Sequence, residues 1–302
     1  MPTTIPSITS LTRPGSPSTG DAYFETDTHN YIIYDGANWR GYASDGVSGW
    51  SGSNTYSVDF DGVDDYLDLG SSDTLFNSAS AFSISAWVNL DSYSPDTFPS
   101  ICALKTDQST GWMLGLSNFS TSYGGVFMGS SANFANLTTG DLSLAASLVG
   151  GWHHIVVTFD GVSRTTASSF ALYIDGVSKT LTASGTYGAT PNTNQIGFGN
   201  GNNTRFNGNI DEVSLFTTEL SSSQVTNIYK GESNGGSGGT NGKPGNLLSF
   251  TPSNWWRMGD GAEGGSGTTI YDMSTNNNNN GTFVNSPTFH DLSTAPDSIY
   301  VS

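Results

Sequence analysis

Short alternating segments punctuated by Asp-Gly pairs are the feature that most constrains the fold of this chain. The segments are YIIYDGANWRGY, SVDFDGVDDYLDL, FSISAWVNL, WHHIVVTFDG, FALYIDGV, NQIGFGN and GNIDEVSLF. An Asp-Gly pair between strand residues is a strong hairpin signal, because both central residues of a type I′ turn need positive φ. The pairs occur at Asp35-Gly36, Asp61-Gly62, Asp160-Gly161 and Asp175-Gly176. Many short strands at this spacing predict an all-β sandwich.

One helix is predicted, over the segment LSSSQVTNIYKG. Ser221 is the expected N-cap, and Gln224 three residues later completes a capping box. Val225 and Ile228 then lie three residues apart on one helix face, and Gly231 follows as a stop signal.

Composition and charge restrict the classes of partner. The 302 residues suffice for one large sandwich or two to three smaller units, and 7 Trp, 13 Tyr and 16 Phe can fill a core. The 26 acidic and nine basic residues give a formal charge of −17, which repels phosphate backbones and anionic lipid. Cys102 is the only cysteine, so no intrachain disulfide forms. We therefore expect neither nucleic-acid binding nor membrane insertion, and the opening MPTTIPSITS does not resemble a secretory signal.

Changes in composition divide the chain into four segments. Residues 1–50 combine a Pro/Ser/Thr-rich lead with one aromatic hairpin, and residues 51–232 hold most of the strands. Residues 233–246 are typical of a flexible Gly/Ser-rich linker. Residues 247–302 form a C-terminal β tail that contains NWWRMGDG and an asparagine run.

The order of these segments resembles a known family. WHHIVVTFDG, LYIDGV, IGFGN and FNGNIDEVSLFTTELSSSQVTNIY, preceded by FDGVDDYLDLG and FSISAWVNL, resemble the laminin-G-like, pentraxin-like branch of the concanavalin A-like sandwiches over about residues 56–230. The resemblance implies a two-sheet antiparallel jelly roll that is mostly used to bind glycans or proteins. The expected architecture is thus an all-β, concanavalin A-like jelly-roll sandwich with a small N-terminal β-hairpin and a C-terminal β tail.

The tail departs from the family order. A segment resembling WWRMGDGAEGGSGTTIYDMSTNNNNNGTFVN normally precedes the FDGVDDY strand, but here it lies at 255–285. We hypothesise that the tail supplies the missing edge strand, either to its own sandwich or to a neighbouring chain. The alternative is a truncated second module, which leaves an exposed strand edge.

The first fifty residues resemble a different group of proteins. LTRPGSPSTGDAYFETDTHNYIIYDGANWRGYASDG is similar to small hairpins of bacteriophage tail-fibre and other virion proteins. Tyr31, Ile33 and Trp39 are predicted to form one face, which is buried either against another subunit or against the chain's own sandwich. This resemblance implies a virion structural protein (tail fibre, appendage or capsid decoration), made in the host cytoplasm, with other virion proteins and further copies of itself as partners.

Enzyme chemistry finds little support in the sequence. Glycoside hydrolysis needs two carboxyls facing each other across a cleft, and none of the five glutamates lies in such a motif. Asp211 and Glu212 are adjacent on a predicted strand, so they are expected on opposite faces. The same alternation separates His153 from His154, which favours structural histidines. We expect a protein that is not an enzyme.

Calcium is the one metal that the pattern suggests. Hard oxygen ligands on loops suit it, and Asp61, Asp64 and Asp65 lie at a turn, with Asp211 entering a late strand. The resemblance implies calcium loops at one rim of the sandwich, which these four residues could form if the strand ends are neighbours. The alternative is that the turn aspartates cap backbone amides. No cofactor is required by either interpretation.

Aromatic residues near Gly/Ser/Asn-rich segments are the candidates for glycan contact. They are Trp112, Tyr123, Phe134 and Tyr187. The alternative is that they belong to the core, as most aromatics of a sandwich do. The predicted function is a virion protein that displays a lectin-like sandwich towards host-surface glycan, with many weak sites acting together. A free cellular lectin or adhesin is the first alternative, and a glycan hydrolase is the second.

Overall fold

A computed structural model provides the structure of the chain. It describes residues 6–8, 12–25, 30–34, 36, 39–43, 54, 56–71, 80–105, 111–120, 124–130, 136–163, 166–184, 193–199, 204–239, 241–258, 265–266, 268–274, 279–285 and 287–290. No helix within these ranges is long and apolar enough to cross a membrane.

The described residues form 22 strands and two α-helices. The strands are β1 (Ser7–Ile8), β2 (Ala22–Glu25), β3 (Asn30–Tyr34), β4 (Trp39–Ala43), β5 (Ser57–Asp61), β6 (Tyr66–Asp68), β7 (Phe82–Leu90), β8 (Ser100–Lys105), β9 (Gly111–Ser117), β10 (Gly125–Ser130), β11 (Asn136–Thr138), β12 (Trp152–Phe159), β13 (Phe170–Ile174), β14 (Val177–Lys179), β15 (Thr182–Ser184), β16 (Gln195–Ile196), β17 (Asn207–Phe216), β18 (Asn254–Trp256), β19 (Gly265–Ser266), β20 (Thr269–Ile270), β21 (Gly281–Val284) and β22 (Thr288–His290). The helices are α1 (Leu142–Ser147) and α2 (Ser222–Tyr229), and short 3-10 turns occupy Ala167–Ser169 and Leu248–Phe250.

Two large sheets make up the sandwich. Among the described strands, one sheet has the order β15-β11-β10-β9-β8-β16-β6-β21-β20-β19. The other has the order β14-β13-β12-β7-β17-β5-β22, with β18 also paired to β17. We call them the ten-stranded and eight-stranded sheets. The pairings described within both are antiparallel, which confirms the predicted all-β jelly-roll sandwich.

The core between the sheets follows from strand alternation. Val58 and Phe60 in β5 and Leu67 in β6 are fully buried, whereas Asp59 and Asp68 are only partly buried. The predicted hairpin at this point is wrong, however, because β5 belongs to the eight-stranded sheet and β6 to the ten-stranded one. Residues 62–65 therefore carry the chain from one sheet to the other, and both strands face one core.

Helix α2 confirms the predicted capping box. The Ser221 hydroxyl accepts from the Gln224 backbone N–H, and the Gln224 side chain accepts from the Ser221 backbone N–H. Val225 and Ile228 are buried on the outer face of the eight-stranded sheet, in a cluster with Trp255. The short helix α1 is not predicted, although Asp141 caps it by accepting from two backbone N–H groups.

The C-terminal tail pairs with strands of the same chain. β18 pairs with β17, β21 with β6 and β22 with β5. Trp256, Met258 and Ile270 of the tail are fully buried in the core between the sheets. The tail therefore supplies both strands and core side chains.

The segment predicted as a flexible linker is packed in the structure. Lys243, Pro244 and Gly245 are buried, and the Gly239 backbone N–H donates to the Glu232 carboxylate at 2.7 Å. A Cβ at Gly245 would lie 2.5 Å from the Gly231 backbone, so the two segments approach closely because glycine has no side chain.

The N-terminal region forms a small sheet with the order β1-β2-β3-β4, larger than the predicted hairpin. Trp39 pairs with Tyr34, and Ile33 pairs with Arg40. Since neighbouring residues of a strand face opposite sides, Trp39 shares a face with Tyr34 and not with Ile33. The Tyr31 side chain lies outside the described part of the structure. The predicted single face is therefore wrong for Trp39, whose ring contacts Tyr34 at a centroid distance of 5.4 Å. Ile33 is 37% exposed.

Candidate functional site

Three predicted calcium ligands meet at the turn between β5 and β6. One carboxylate oxygen each from Asp61, Asp64 and Asp65 lies within 4.8 Å of the others, and we call this group the acidic turn. Asp61 accepts from the Val63 and Asp64 backbone N–H groups at 2.7 and 3.3 Å. Asp61 therefore caps backbone amides, as the alternative interpretation predicts, and the three carboxylates also bring their oxygens close together.

Asp65 is the buried member of the acidic turn. Its side chain is 6% exposed, and its carboxylate accepts from the Asp61 backbone N–H at 3.3 Å. Desolvation raises the pKa of Asp65, and the nearby charges of Asp61, Asp64 and Asp59 raise it further. A bound cation would lower that pKa, since it offsets the crowding of negative charge.

Asp211 does not join the acidic turn. It lies four residues along β17 from Asn207, the partner of Asp61, which is about 13 Å at the usual rise of a strand. Its carboxylate is fully buried and accepts from Asn54 Nδ2 at 2.8 Å. The predicted four-residue set therefore reduces to three.

A bulge places Asp211 and Glu212 on one face, contrary to the expected alternation. Asp211 pairs with Trp87 and Ser214 with Ser85, so β17 has one residue more than β7 at this point. Glu212 is the left-handed residue of the bulge, with φ at 50°.

The Glu212 carboxylate is buried against the tail. It accepts from Trp255 Nε1 and, at 3.3 Å, from Arg257 Nε. Both Glu212 and Arg257 are at most 2% exposed. The paired charges hold β18 against β17 and are not open to a substrate.

The two histidines point in different directions, as predicted. His153 Nδ1 lies 2.8 Å from the Asp175 carboxylate, which is the main reason that its pKa is raised. His154 is fully buried, stacks on Trp87 and lies 2.8 Å from Ser85 Oγ. Desolvation lowers the pKa of His154 to about 3, so it is a neutral framework residue at physiological pH.

The predicted glycan contacts do not form a site among the described residues. Trp112 is fully buried and packs edge-on against Phe82 at 5.6 Å, because its strand alternation turns it into the core; as a glycan contact it is wrong. Tyr123, Phe134 and Tyr187 lie outside the described residues.

A partly exposed aromatic pair beside the acidic turn was missed by sequence reasoning. The Tyr66 and Phe198 rings lie 5.8 Å apart, and we call them the ring pair. The Arg205 guanidinium lies 5.8 Å from the centre of the Phe198 ring. Arg205 is anchored by Asp96, whose carboxylate accepts from its backbone N–H at 2.7 Å. The available signal was the alternation of β6, which turns Tyr66 outward when Leu67 faces the core.

Comparison with known families identifies the class of protein. Residues 61–226, more than half of the chain, match the concanavalin A-like lectin/glucanases superfamily. The chain belongs to this superfamily. No curated protein matches the chain.

A solved structure with a TM-score above 0.5 supports the same fold. A candidate carbohydrate-binding protein from Bacteroides ovatus is similar over 92% of this chain and 71% of its own, with a TM-score of 0.52 and 18% identity. A heptameric SAP-like pentraxin from Limulus polyphemus is similar over 58% of this chain and 82% of its own, with a TM-score of 0.35 and 13% identity. Domain 4 of an extracellular arabinanase from Geobacillus stearothermophilus, solved with arabinotriose, is similar over 70% and 82%, with a TM-score of 0.33 and 16% identity. At 18% identity the likeness to the Bacteroides ovatus protein concerns the fold alone.

Proposed function

We propose that the chain is a carbohydrate-binding protein without catalytic activity. The ring pair carries this proposal, because partly exposed aromatic faces beside charged groups suit the apolar faces and the hydroxyls of a sugar. Arg205 and the acidic turn supply hydrogen-bonding groups of both signs around it. Membership of a lectin/glucanase superfamily and the carbohydrate-binding description of the Bacteroides ovatus protein agree with this assignment.

The test is binding to a panel of immobilised oligosaccharides. We expect the full chain to bind at least one member, and Tyr66→Ala to weaken that binding about tenfold by removing one stacking surface. Phe119→Ala is the matched control, since Phe119 is an aromatic residue that is 61% exposed outside the ring pair. A wild-type chain that binds no member, or equal losses for the two variants, would contradict the proposal.

A hydrolase is the less favoured alternative. Hydrolysis needs two accessible carboxyls roughly 5–10 Å apart across a cleft. Glu212 is instead buried against Arg257, and Asp211 is buried against Asn54. We expect no release of reducing sugar from any polysaccharide that the chain binds; release above that of an untreated sample would establish the enzyme.

We also propose that the acidic turn binds calcium. Its three carboxylates provide hard oxygen ligands on a loop, as calcium requires. Added calcium is expected to raise the melting temperature and EDTA to lower it, and Asp64→Asn should reduce the difference. Asp160→Asn, at an Asp-Gly turn with no other carboxylate beside it in the sequence, is the control. A melting temperature that is unchanged by calcium and by EDTA would remove this proposal.

At the level of the organism we propose a structural protein of a bacteriophage virion, made in the host cytoplasm. The support is the resemblance of residues 1–50 to virion hairpins, together with an exposed Ile33 in the small sheet that could contact another subunit. Copies of the chain would form a homo-oligomer and would also contact other virion proteins, so that several weak host-glycan sites act together.

Deletion of residues 1–50 separates the two roles. We expect the shortened chain to bind glycan as before but to be missing from purified particles. Retained incorporation, or a gene neighbourhood with an export system in place of capsid and tail genes, would favour the free lectin or adhesin.

A further inference from the structure

Asp96 is a buried carboxylate that pairs with Arg205 at the edge of the ring pair. Its side chain is 5% exposed. Its Oδ2 atom accepts from the Arg205 backbone N–H at 2.7 Å and from Arg205 Nη1 at 3.5 Å. Buried charges are costly unless they are paired and hydrogen-bonded. One oxygen of Asp96 therefore holds both the backbone and the guanidinium of Arg205.

The two chain segments that carry this pair are tied together by further hydrogen bonds. Asn207, two residues after Arg205, donates through Nδ2 to Ser92 Oγ and to the Ser94 carbonyl, both at 3.0 Å. Both acceptors precede Asp96 in the same loop between β7 and β8. The Asp96 carboxylate is thus kept close to Arg205 by contacts that involve neither of the two charged side chains.

The Arg205 side chain is only partly enclosed by this pairing. It is 33% exposed, and its guanidinium lies 5.8 Å from the centre of the Phe198 ring. Among the described residues, Asp96 is the only carboxylate with which it pairs. A guanidinium carries several N–H donors in a fixed plane. The donors that Asp96 does not use can therefore bind the hydroxyls of a sugar that stacks on the ring pair.

Asp96 also sets the charge that a ligand meets at Arg205. Its carboxylate offsets the positive charge of the guanidinium, and the carboxylates of the acidic turn directly precede Tyr66 in the chain. A ligand carboxylate that contacts Arg205 therefore also comes close to Asp96. Repulsion between partly buried like charges at such short range weakens binding about tenfold or more. A sugar hydroxyl carries no charge and avoids this repulsion.

We propose that Asp96 determines the specificity of the ring-pair site, by making it select neutral sugars against uronic acids. Asp96 is a positioning residue that acts through Arg205, because it is too buried to touch the sugar. It cancels the charge of the guanidinium and keeps it as a donor to hydroxyl groups. This inference rests on the proposed carbohydrate-binding function and names the substrate class of that same site.

The test compares pairs of ligands that differ only in charge. Neutral hexasaccharides from glucan, mannan and galactan are each paired with the same hexasaccharide oxidised at C6 to uronic acids. Affinities for the full chain are measured by titration calorimetry at about 300 mM salt, where the field of distant charges is largely screened. We expect the wild-type chain to bind a neutral member at least about tenfold more tightly than its oxidised counterpart.

Asp96→Asn should raise the affinity for the oxidised member about tenfold. The asparagine side chain keeps an oxygen that accepts from the Arg205 backbone N–H, so the loop contact is retained while the charge is removed. Asp160→Asn is the matched control, because it also removes one negative charge but lies at a different turn, and it should keep the wild-type preference. Adding Arg205→Gln to Asp96→Asn should abolish the gain.

The outcomes for Asp96 and for the proposed function are distinct. Unchanged affinity of Asp96→Asn for the oxidised member, or a gain that survives Arg205→Gln, overturns the role of Asp96 and keeps the proposed function. If Asp96→Asn does not melt cooperatively, the wild-type chain decides: preference for the neutral member supports the inference, and equal or tighter binding of the oxidised member overturns it. Absence of binding to every member overturns the proposed function and the inference with it.

Discussion

Glu212 is the residue that joins the C-terminal tail to the sandwich. Its left-handed φ of 50° is uncommon for a residue with a side chain, and it turns the carboxylate towards Trp255 and Arg257. A regular strand would have separated Asp211 from Glu212 on opposite faces. The sequence pattern could not reveal the bulge, because the extra residue shows only in the pairing of β17 with β7.

Glu212→Gln should strongly destabilise the fold. The substitution removes the negative charge that faces the buried Arg257, and breaking a buried ion pair typically costs about 3–5 kcal/mol. Arg205→Gln breaks the Asp96 pair, in which the Arg205 side chain is 33% exposed, so a loss below about 1 kcal/mol is expected. Urea denaturation measures both free energies of unfolding. Equal losses in the two variants would show that the Glu212 pair contributes no more than a surface pair.

His154 should make the fold less stable as the pH falls. In the unfolded chain it takes up a proton near pH 6.5, whereas in the folded chain it resists protonation until about pH 3. Between these two pH values the unfolded state binds more protons than the folded state. The stability that depends on a neutral His154 is therefore fully present above pH 6.5. It is lost on acidification, by about 2 kcal/mol between pH 7 and pH 5.

Comparison of unfolding free energies at the two pH values tests this. In His154→Gln most of this decrease in the free energy of unfolding should disappear. In His153→Gln the decrease should remain. The control is informative because the raised pKa of His153 acts in the opposite sense, adding stability below its pKa that is lost as the pH rises through it. An unchanged pH dependence in His154→Gln would refute the assignment.

At the level of elements, the positions of turns could be predicted from the local sequence, whereas the pairing of strands could not. Asp175 and Gly176 both have positive φ, as the Asp-Gly pair predicts for a tight hairpin between β13 and β14. At Asp61-Gly62 only the glycine has positive φ, and the chain crosses between sheets. The dipeptide therefore fixes a turn, whereas long-range packing decides which strand follows. The same holds for the ring pair, whose members come from β6 and from a loop more than a hundred residues away.

Deletion of residues 247–302 should prevent stable folding. It removes β18, β21 and β22, takes Trp256 and Met258 from the core, and leaves the buried Glu212 without Arg257. We expect loss of the cooperative thermal transition, and its recovery when the tail is co-expressed as a separate chain. Deletion of residues 1–50 is the control and should preserve the transition. A melting temperature unaffected by the tail deletion would show that the sandwich is complete without it.

At the level of the whole molecule, charge selects the kind of ligand. The excess of 26 acidic over nine basic residues gives the whole chain a formal charge of −17, which repels anionic ligands at long range. Family membership leaves many ligands open, since one fold serves several functions. Neutral sugars are the class for which binding requires neither a basic patch nor counter-charge.

The salt dependence of binding follows from this charge. Because neutral sugars carry no charge to be screened, their affinity should change less than about twofold between about 20 and about 300 mM salt. Heparin resin, in contrast, should not retain the chain even at about 20 mM salt, where the electrostatic repulsion extends furthest. A chain with Asp61, Asp64 and Asp65 all replaced by asparagine is the matched variant and should still fail to bind heparin, because the remaining formal charge is still strongly negative. Retention of the wild-type chain on heparin at low salt would mean that Arg205 and its surroundings form a local anion site, and the ligand would then be an acidic glycan.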